Sequence, residues 1–138
     1  MITGGNVKRV SAERKNDKFE TKGLAMNIGI LDVKRKGKTL VIRYAHTATY
    51  EPDEATLTIE GEIFYEDEEK KIREAEEAWS KTKTLQKDIA EQVLNATTVT
   101  ATAVGTLLAF AISVPAPIVT QKYSIGDKPP QGVERKAG

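Results

Sequence analysis

The chain has 138 residues, of which 30% are charged and 39% are hydrophobic, and its net charge is only +1. A chain of this length forms one domain with a single core and buries roughly 68% of its unfolded surface. It contains no cysteine, which excludes disulfide scaffolds, thiolate metal sites and cysteine nucleophiles. The N-terminus lacks the basic region and apolar run of a secretory signal, so the sequence predicts a cytoplasmic protein.

The charges are distributed unevenly along the chain. Residues 1–50 carry eleven basic and four acidic side chains, whereas residues 51–77 carry three basic and twelve acidic ones. Neighbouring blocks of opposite sign favour attraction between chains over binding to a polyanion.

In the first half of the chain, apolar and polar residues alternate as they do in half-buried β-strands. The apolar-facing positions of residues 40–50 are Leu40, Ile42, Tyr44, His46, Ala48 and Tyr50, and those of residues 56–66 are Leu57, Ile59, Gly61, Ile63 and Tyr65. A polar turn at residues 51–54 separates these runs, which predicts an antiparallel hairpin. Residues 6–14 and 26–33 predict two more strands, and four such strands in sequence predict a meander-like sheet.

The second half has helical periodicity. Ile72, Ala75 and Trp79 are spaced three or four residues apart, which predicts an amphipathic helix that follows Asp67. A break at residues 82–84 precedes a second helix over residues 85–112, which Pro115 and Pro117 terminate. Residues 118–120 predict a short extended segment. We therefore expect one α+β domain over residues 1–125 and a disordered polar tail over residues 126–138.

The second helix has an unusual composition, because no charged residue occurs between Glu91 and Lys122. A surface helix of a small domain normally has a polar face, and an exposed Leu or Phe forfeits roughly 1.5–3 kcal/mol of burial free energy. We favour an inner helix, covered by the sheet on one side and by a second subunit on the other. Val93, Val99 and Val104 are its predicted interface residues.

Two other interpretations of this helix remain open. A stretch of about 20 apolar residues is long enough to cross a bilayer, although five threonines, Asn95 and Gly105 lower the hydropathy of this one. The helix surface could also form a groove for apolar ligands or peptides, which is compatible with burial in an assembly.

The sequence offers no catalytic residue, metal site or cofactor site. His46 is the only histidine and lies on the apolar strand face, so we interpret it as a packed side chain. The acidic residues 66–69 lack the spacing of a calcium loop and fit a helix N-terminus. Phosphate loops, dinucleotide fingerprints and the G-x-S-x-G motif are absent, so the sequence predicts a protein that is not an enzyme.

A basic segment at residues 34–38 is the only indication of nucleic-acid binding. Lys8, Arg9, Arg14 and Lys15 are near it in sequence, but the segment contains no aromatic residue for stacking. We interpret it as a solvated hairpin turn and predict no nucleic-acid partner.

The order of elements resembles that of the SecB-type export chaperones, and more specifically of the uncharacterised SecB-like proteins of archaea. The resemblance covers residues 6–120. It is carried by residues 7–14 (VKRVSAER), 50–53 (YEPD), 59–65 (IEGEIFY), 93–96 (VLNA) and 115–118 (PAPI).

This resemblance implies a homo-oligomer, either a dimer or a tetramer built as a dimer of dimers, that holds unfolded polypeptide in grooves between sheet and helices. Such a holdase needs no nucleotide. By position, the connection between the first two strands would supply Phe19, Leu24 and Met26 to the groove, and the second helix would supply Leu107, Leu108 and Phe110. The rival hypothesis is a structural or adaptor protein that oligomerises through the second helix and binds one folded partner. A single-pass membrane protein is a third hypothesis.

Overall fold

The computed structural model describes residues 1–20 and 22–117. In this part of the chain four strands precede two helices, namely β1 (Ile2–Arg14), β2 (Gly23–Lys36), β3 (Thr39–Glu51), β4 (Ala55–Glu66), α1 (Glu69–Thr82) and α2 (Lys87–Ala111). The predicted α+β class, an antiparallel four-stranded sheet followed by two helices, is confirmed. The predicted extended segment at residues 118–120 and the predicted tail lie outside the described residues.

The strand order is β1-β4-β3-β2. The predicted meander is correct for β2, β3 and β4 but wrong for β1, which pairs with β4 instead of β2. The connection over residues 15–22 makes this possible. It must cross three inter-strand spacings, about 14 Å, and eight extended residues can span about 26 Å. Alternation along a strand shows which face a residue occupies, but it carries no information about the neighbouring strand.

One face of the sheet is buried and the other is open. Every predicted apolar position of β3 from Leu40 to Tyr50 is buried, and so is every one in β4 from Leu57 to Tyr65. The two helices pack on this face. Apart from Val41 and Phe64, which pair with each other, the open face of β3 and β4 carries polar and small residues. These include two directly paired threonine couples, Thr47 with Thr58 and Thr49 with Thr56.

The basic segment at residues 34–38 is mostly strand. Lys34, Arg35 and Lys36 are the last residues of β2, and the turn itself consists of Gly37 and Lys38. Gly37 has a φ of 64°, in the left-handed region that glycine adopts without strain. The prediction that all five residues form the turn is therefore too broad, because the alternating pattern of β2 continues through its charged end.

Helix α1 packs on the sheet through Ile72, Ala75 and Trp79, as the spacing predicts. It ends at Lys83, which has a φ of 57° and whose backbone N–H donates to the carbonyl oxygen of Trp79 at 2.9 Å. This left-handed cap is a common way to terminate a helix, and it confirms the predicted break at residues 82–84.

Helix α2 contacts the sheet along a stripe of residues spaced by four. The stripe consists of Ile89, Val93, Thr97, Ala101, Gly105 and Ala109. The residues in the second half of the stripe have small side chains, which allow α2 to approach the chain beneath it closely. A Cβ atom at Gly105 would lie only 2.9 Å from Cγ of Pro117, so the chain that leaves α2 returns beneath the helix at this glycine.

The buried residues form two clusters on the helix side of the sheet. The first joins β2, β3 and β4 to α1 and to the start of α2, with Ile72, Trp79 and Val93 among its members. The second lies under the end of α2 and includes Tyr50 and Val114. The sheet therefore carries a helix pair at one end and the exit of α2 at the other.

Candidate peptide-binding and interface surfaces

The side of α2 that faces away from the sheet is apolar and exposed. We call this the outer face of α2, and its large members are Leu94, Val99, Leu107 and Phe110. Val99, Leu107 and Phe110 are 71%, 69% and 67% exposed, so neither the sheet nor α1 covers them. Four large apolar side chains on one helix side exceed the scattered exposed residues that are normal on a monomer.

Threonine side chains strengthen the apolar character of this face. Thr98, Thr102 and Thr106 each donate their hydroxyl proton to the backbone carbonyl four residues earlier, at 2.8, 2.9 and 2.6 Å. Their hydroxyl groups are thereby satisfied inside the helix, and their methyl groups remain for contact with a partner. The outer face of α2 can therefore be covered by an apolar surface without leaving these donors unpaired.

The predicted interface residues have different surroundings. Val99 lies on the outer face of α2, and Val104 is half-buried at its side. Val93 is only 1% exposed and packs in the first core cluster. Val93 is therefore a core residue, because its position in the four-residue stripe points it at the sheet.

The predicted peptide-binding residues fall into two groups. Phe19, Leu24 and Leu108 are partly buried and pack together against the second core cluster. Met26, Leu107 and Phe110 are exposed. The structure thus places three of the six against the second core cluster and leaves three at the surface, on β2 and on the outer face of α2.

The connection over residues 15–22 is anchored by Arg14. Its guanidinium donates to the backbone oxygens of Asn16, Asp17 and Ser113, at 2.9, 2.7 and 2.7 Å, and lies over the ring of Phe19. One side chain therefore links the connection to the exit of α2. These two segments are boundaries of the predicted groove.

A buried carboxylate also holds the connection between β1 and β2. Glu54, in the turn between β3 and β4, is buried and accepts hydrogen bonds from the backbone N–H of Glu20 at 2.8 Å and from the side-chain amide of Asn16. Its backbone oxygen accepts from the N–H of Lys15 at 2.8 Å. The turn thus supports the crossing chain through both its side chain and its backbone.

His46 is buried, as predicted for a packed side chain. It pairs in register with Ile28 of β2 and Ile59 of β4. Burial lowers the pKa of His46 below its ordinary value, because an apolar setting disfavours the imidazolium. In the described part of the chain no group of histidine and carboxylate side chains is arranged to hold a metal ion.

Asp67, which precedes α1, belongs to a cluster of charged residues between the two helices. Lys71 of α1 lies 3.5 Å from Asp67 and bonds directly to Asp88 in the first turn of α2. The Tyr65 hydroxyl donates to Asp67 at 3.1 Å. These contacts lower the pKa of Asp88 and raise that of Lys71, so the cluster joins the two helices.

Sequence reasoning missed several exposed apolar residues. Val7 lies beside α2, where it lines a cavity of about 210 Å³ with Ala96 and Thr100. Leu31 of β2 and Leu94 of α2 are also exposed. Leu94 belongs to the uncharged stretch and could have been included, whereas Val7 and Leu31 lie in edge strands that only the strand order identifies.

Among the described residues α2 is the only helix that is long and apolar enough to cross a membrane. One side of it nevertheless packs along its length on the sheet. Only 28% of its apolar window is buried, so the sheet covers one side of α2 and leaves the other side exposed.

Comparison with known proteins identifies a similar fold. No protein-family model matches the chain, and no curated protein matches its sequence. Among solved structures, the chain is similar to the Mycobacterium tuberculosis Rv1957 SecB-like chaperone in complex with a ChAD peptide from the Rv1956 HigA1 antitoxin. The TM-score is 0.60 at 12% sequence identity, over 86% of this chain and 84% of that chain. The chain therefore has a SecB-like fold.

Proposed function

We propose that this chain is a SecB-like, ATP-independent holdase that binds unfolded, apolar segments of polypeptide as a cytoplasmic homo-oligomer. The observation that carries the proposal is the fold shared with a chaperone whose structure contains a bound peptide. Exposed apolar side chains on β2 and α2 support it, because a holdase needs apolar surface in its resting state.

A holdase of this kind acts by mass action. It binds the unfolded state of a client and lowers the free concentration of the aggregation-prone chain. The binding energy comes from apolar burial, at roughly 25 cal/mol per Å² of apolar surface removed from water. No nucleotide, metal ion or catalytic residue takes part.

Within this proposal the six groove residues have two roles. Met26, Leu107 and Phe110 are exposed and make the first contacts with a client. Phe19, Leu24 and Leu108 are packed against the second cluster, so they bind a client only after residues 15–20, which include Phe19, move aside. Arg14 and Glu54 control that movement, since they hold the connection in place.

The homo-oligomer, a dimer or tetramer, forms through the half of the outer face of α2 nearest its N-terminus. Leu94 and Val99 lie there with Thr98 and Thr102. This surface has no charge, and in a two-fold interface the same patch meets itself, so it is complementary to a second copy. Val104 lies at the margin of this interface.

Suppression of aggregation tests the holdase directly. A reduced or heated client that scatters light on unfolding is mixed with increasing amounts of this protein without ATP. We expect suppression at near-stoichiometric ratios. Undiminished aggregation at a several-fold excess of this protein would contradict the proposal.

The outer face of α2 also supports a second function, that of an adaptor that oligomerises and binds one folded partner. This alternative requires apolar surface for assembly but none for clients. It predicts a single saturable partner and no effect on the aggregation of denatured proteins, so the same scattering assay separates the two functions.

A further inference from the structure

The cavity of about 210 Å³ beside α2 is bounded by residues of β1, β3, β4 and α2. Two consecutive glycines of β1, Gly4 and Gly5, line it together with Ala96 of α2, so little side-chain volume fills the space. The register of β1 with β4 shifts on both sides of the glycines, between Ile2 and Gly4 and between Val7 and Arg9. Bulges and strand glycines are typical of places where a ligand or another backbone approaches a sheet.

Tyr44 of β3 places a hydroxyl group at this cavity. It pairs in register with Gly61 of β4, and a Cβ atom at Gly61 would lie 2.8 Å from the hydroxyl oxygen, so the Tyr44 ring extends across the glycine towards β1. Tyr44 is only 2% exposed, yet among the described residues none forms a hydrogen bond with its hydroxyl group. Buried tyrosines usually have such a partner. Burial also raises the pKa of Tyr44, so the hydroxyl keeps its proton and can donate it.

Thr100 of α2 supplies a second hydroxyl group of the same kind. It is half-buried and lines the cavity. Of the five threonines in α2, four donate their hydroxyl proton to the backbone carbonyl four residues earlier, and Thr100 alone makes no such bond within the described part of the chain. The hydroxyl group of Thr100 is therefore available to a ligand, as that of Tyr44 is.

The remaining surroundings favour a neutral and partly apolar ligand. Ile2, Val7 and Ile63 supply apolar side chains. Glu62 is the only charged residue among the described residues that line the cavity, and its carboxylate lies 3.6 Å from the ammonium group of Lys8. The volume exceeds the roughly 150 Å³ of a cavity that accommodates benzene. A molecule of one ring with a small substituent therefore fits.

We propose that this cavity binds a neutral molecule of one ring that carries a hydroxyl or carbonyl oxygen. The ligand oxygen accepts a hydrogen bond from Tyr44, and Thr100, whose hydroxyl both donates and accepts, makes the second polar contact. The ring packs against the apolar side chains. The site is separate from the proposed client surfaces, because none of the six predicted peptide-binding residues, all of which the structure describes, lines the cavity.

Binding of p-cresol tests the site, with toluene as the matched compound that lacks the hydroxyl group. Each is titrated into isotope-labelled full-length protein, and the backbone amide resonances report affinity and location. We expect p-cresol to bind about tenfold more tightly than toluene and to shift the amides of residues 4–7, 61–63 and 96–100. Equal affinities would contradict recognition of the oxygen. No binding of p-cresol at millimolar concentration, or shifts confined to Leu107 and Phe110 on the outer face of α2, would overturn the site itself.

A matched pair of variants tests the role of Thr100. Thr100→Val and Thr98→Val both replace a hydroxyl group of α2 by a methyl group, but the Thr98 hydroxyl is bonded to the carbonyl oxygen of Leu94 and Thr98 does not line the cavity. We expect Thr100→Val to weaken binding of p-cresol about threefold or more and to leave binding of toluene unchanged. Thr98→Val should leave both unchanged. An equal loss of p-cresol affinity in the two variants would contradict the assignment.

The substitution Tyr44→Phe removes the other hydroxyl group and keeps the ring. Because this hydroxyl has no partner among the described residues, we expect the urea midpoint of the ligand-free protein to stay the same or to rise. The affinity for p-cresol should fall about tenfold. A lower midpoint with unchanged affinity would show that the hydroxyl stabilises the fold and does not contact the ligand. These measurements need no client, so their outcome is independent of the proposed holdase activity.

Discussion

The hydroxyl group of Tyr50 in β3 donates a hydrogen bond to the backbone oxygen of Pro115, which follows α2. The two residues are 65 positions apart in sequence. Burial raises the pKa of Tyr50, so its hydroxyl stays protonated and remains a donor. The ring of Phe19 meets that of Tyr50 edge to face, with centroids 5.6 Å apart. Tyr50 therefore joins the sheet to both the exit of α2 and the connection between β1 and β2.

Removal of this hydroxyl should destabilise the fold by a limited amount. In Tyr50→Phe the ring still packs against Phe19, but the oxygen of Pro115 loses its donor. We expect the free energy of unfolding to fall by about 1 kcal/mol, measured by urea denaturation at fixed protein concentration. Phe19→Ala, which removes the ring contact and retains the hydrogen bond, is the companion variant. An unchanged unfolding transition in Tyr50→Phe would mean that the contact contributes nothing to stability.

Gly61 should tolerate no side chain. A Cβ atom at this position would lie 2.3 Å from the backbone oxygen of Asn6 and 2.8 Å from the Tyr44 hydroxyl oxygen. The Asn6 backbone belongs to β1, so Gly61→Ala must displace that strand. We expect a loss of about 1–3 kcal/mol in the free energy of unfolding.

Gly29 provides the control for this prediction. It also lies in a strand of the same sheet, but a Cβ atom there would meet nothing within 4 Å. Gly29→Ala should be neutral or stabilising by about 0.5 kcal/mol, since alanine loses less backbone entropy on folding. Equal destabilisation by both substitutions would show that close approach at Gly61 is not the cause.

Charge on the outer face of α2 should disrupt the oligomer without unfolding the chain. Leu94→Glu combined with Val99→Glu introduces two carboxylates on a surface that we propose to be buried between copies. We expect the native mass, measured by light scattering after size exclusion, to fall to that of the 15.2 kDa chain. The circular dichroism spectrum should not change, because both side chains point away from the sheet. Lys87→Glu, at the start of the same helix, is the control and should retain the wild-type mass.

The sequence was most informative about which segments form strands and helices. It was least informative about which of these segments lie next to each other. Strict alternation identifies the buried side chains of β3 from Leu40 to Tyr50 and of β4 from Leu57 to Tyr65, because one sheet face is covered there. It missed Ala55, the buried first residue of β4. Strand order depends on how the connection between β1 and β2 crosses the sheet, and that connection is held by tertiary contacts of Arg14 and Glu54.

The same limit applies to the candidate surfaces. The outer face of α2 follows from the lack of charge between Glu91 and Lys122, which is visible in the sequence. Whether Phe19 is open or covered depends on its contact with Tyr50, a residue in another element. That β1 and β2 lie at opposite edges of the sheet could be recognised only from the strand order.

Acid should destabilise the protein through His46 before the carboxylates titrate. Burial lowers the pKa of His46 in the folded state, whereas the unfolded chain has a histidine pKa of about 6.5. Below that pH the unfolded state binds a proton that the folded state does not, so stability falls as pH decreases. The slope can reach at most about 1.4 kcal/mol per pH unit for one group.

The substitution His46→Leu isolates this contribution. Leucine suits the apolar row that His46 shares with Ile28 and Ile59 and binds no proton. We expect the free energy of unfolding of the wild-type protein to decline between about pH 6.5 and pH 5, and that of His46→Leu to stay flat over the same interval. Urea denaturation at several pH values measures both curves. Parallel curves would show that the imidazole gains its proton equally in the folded and unfolded states, which would require water to reach it within the sheet.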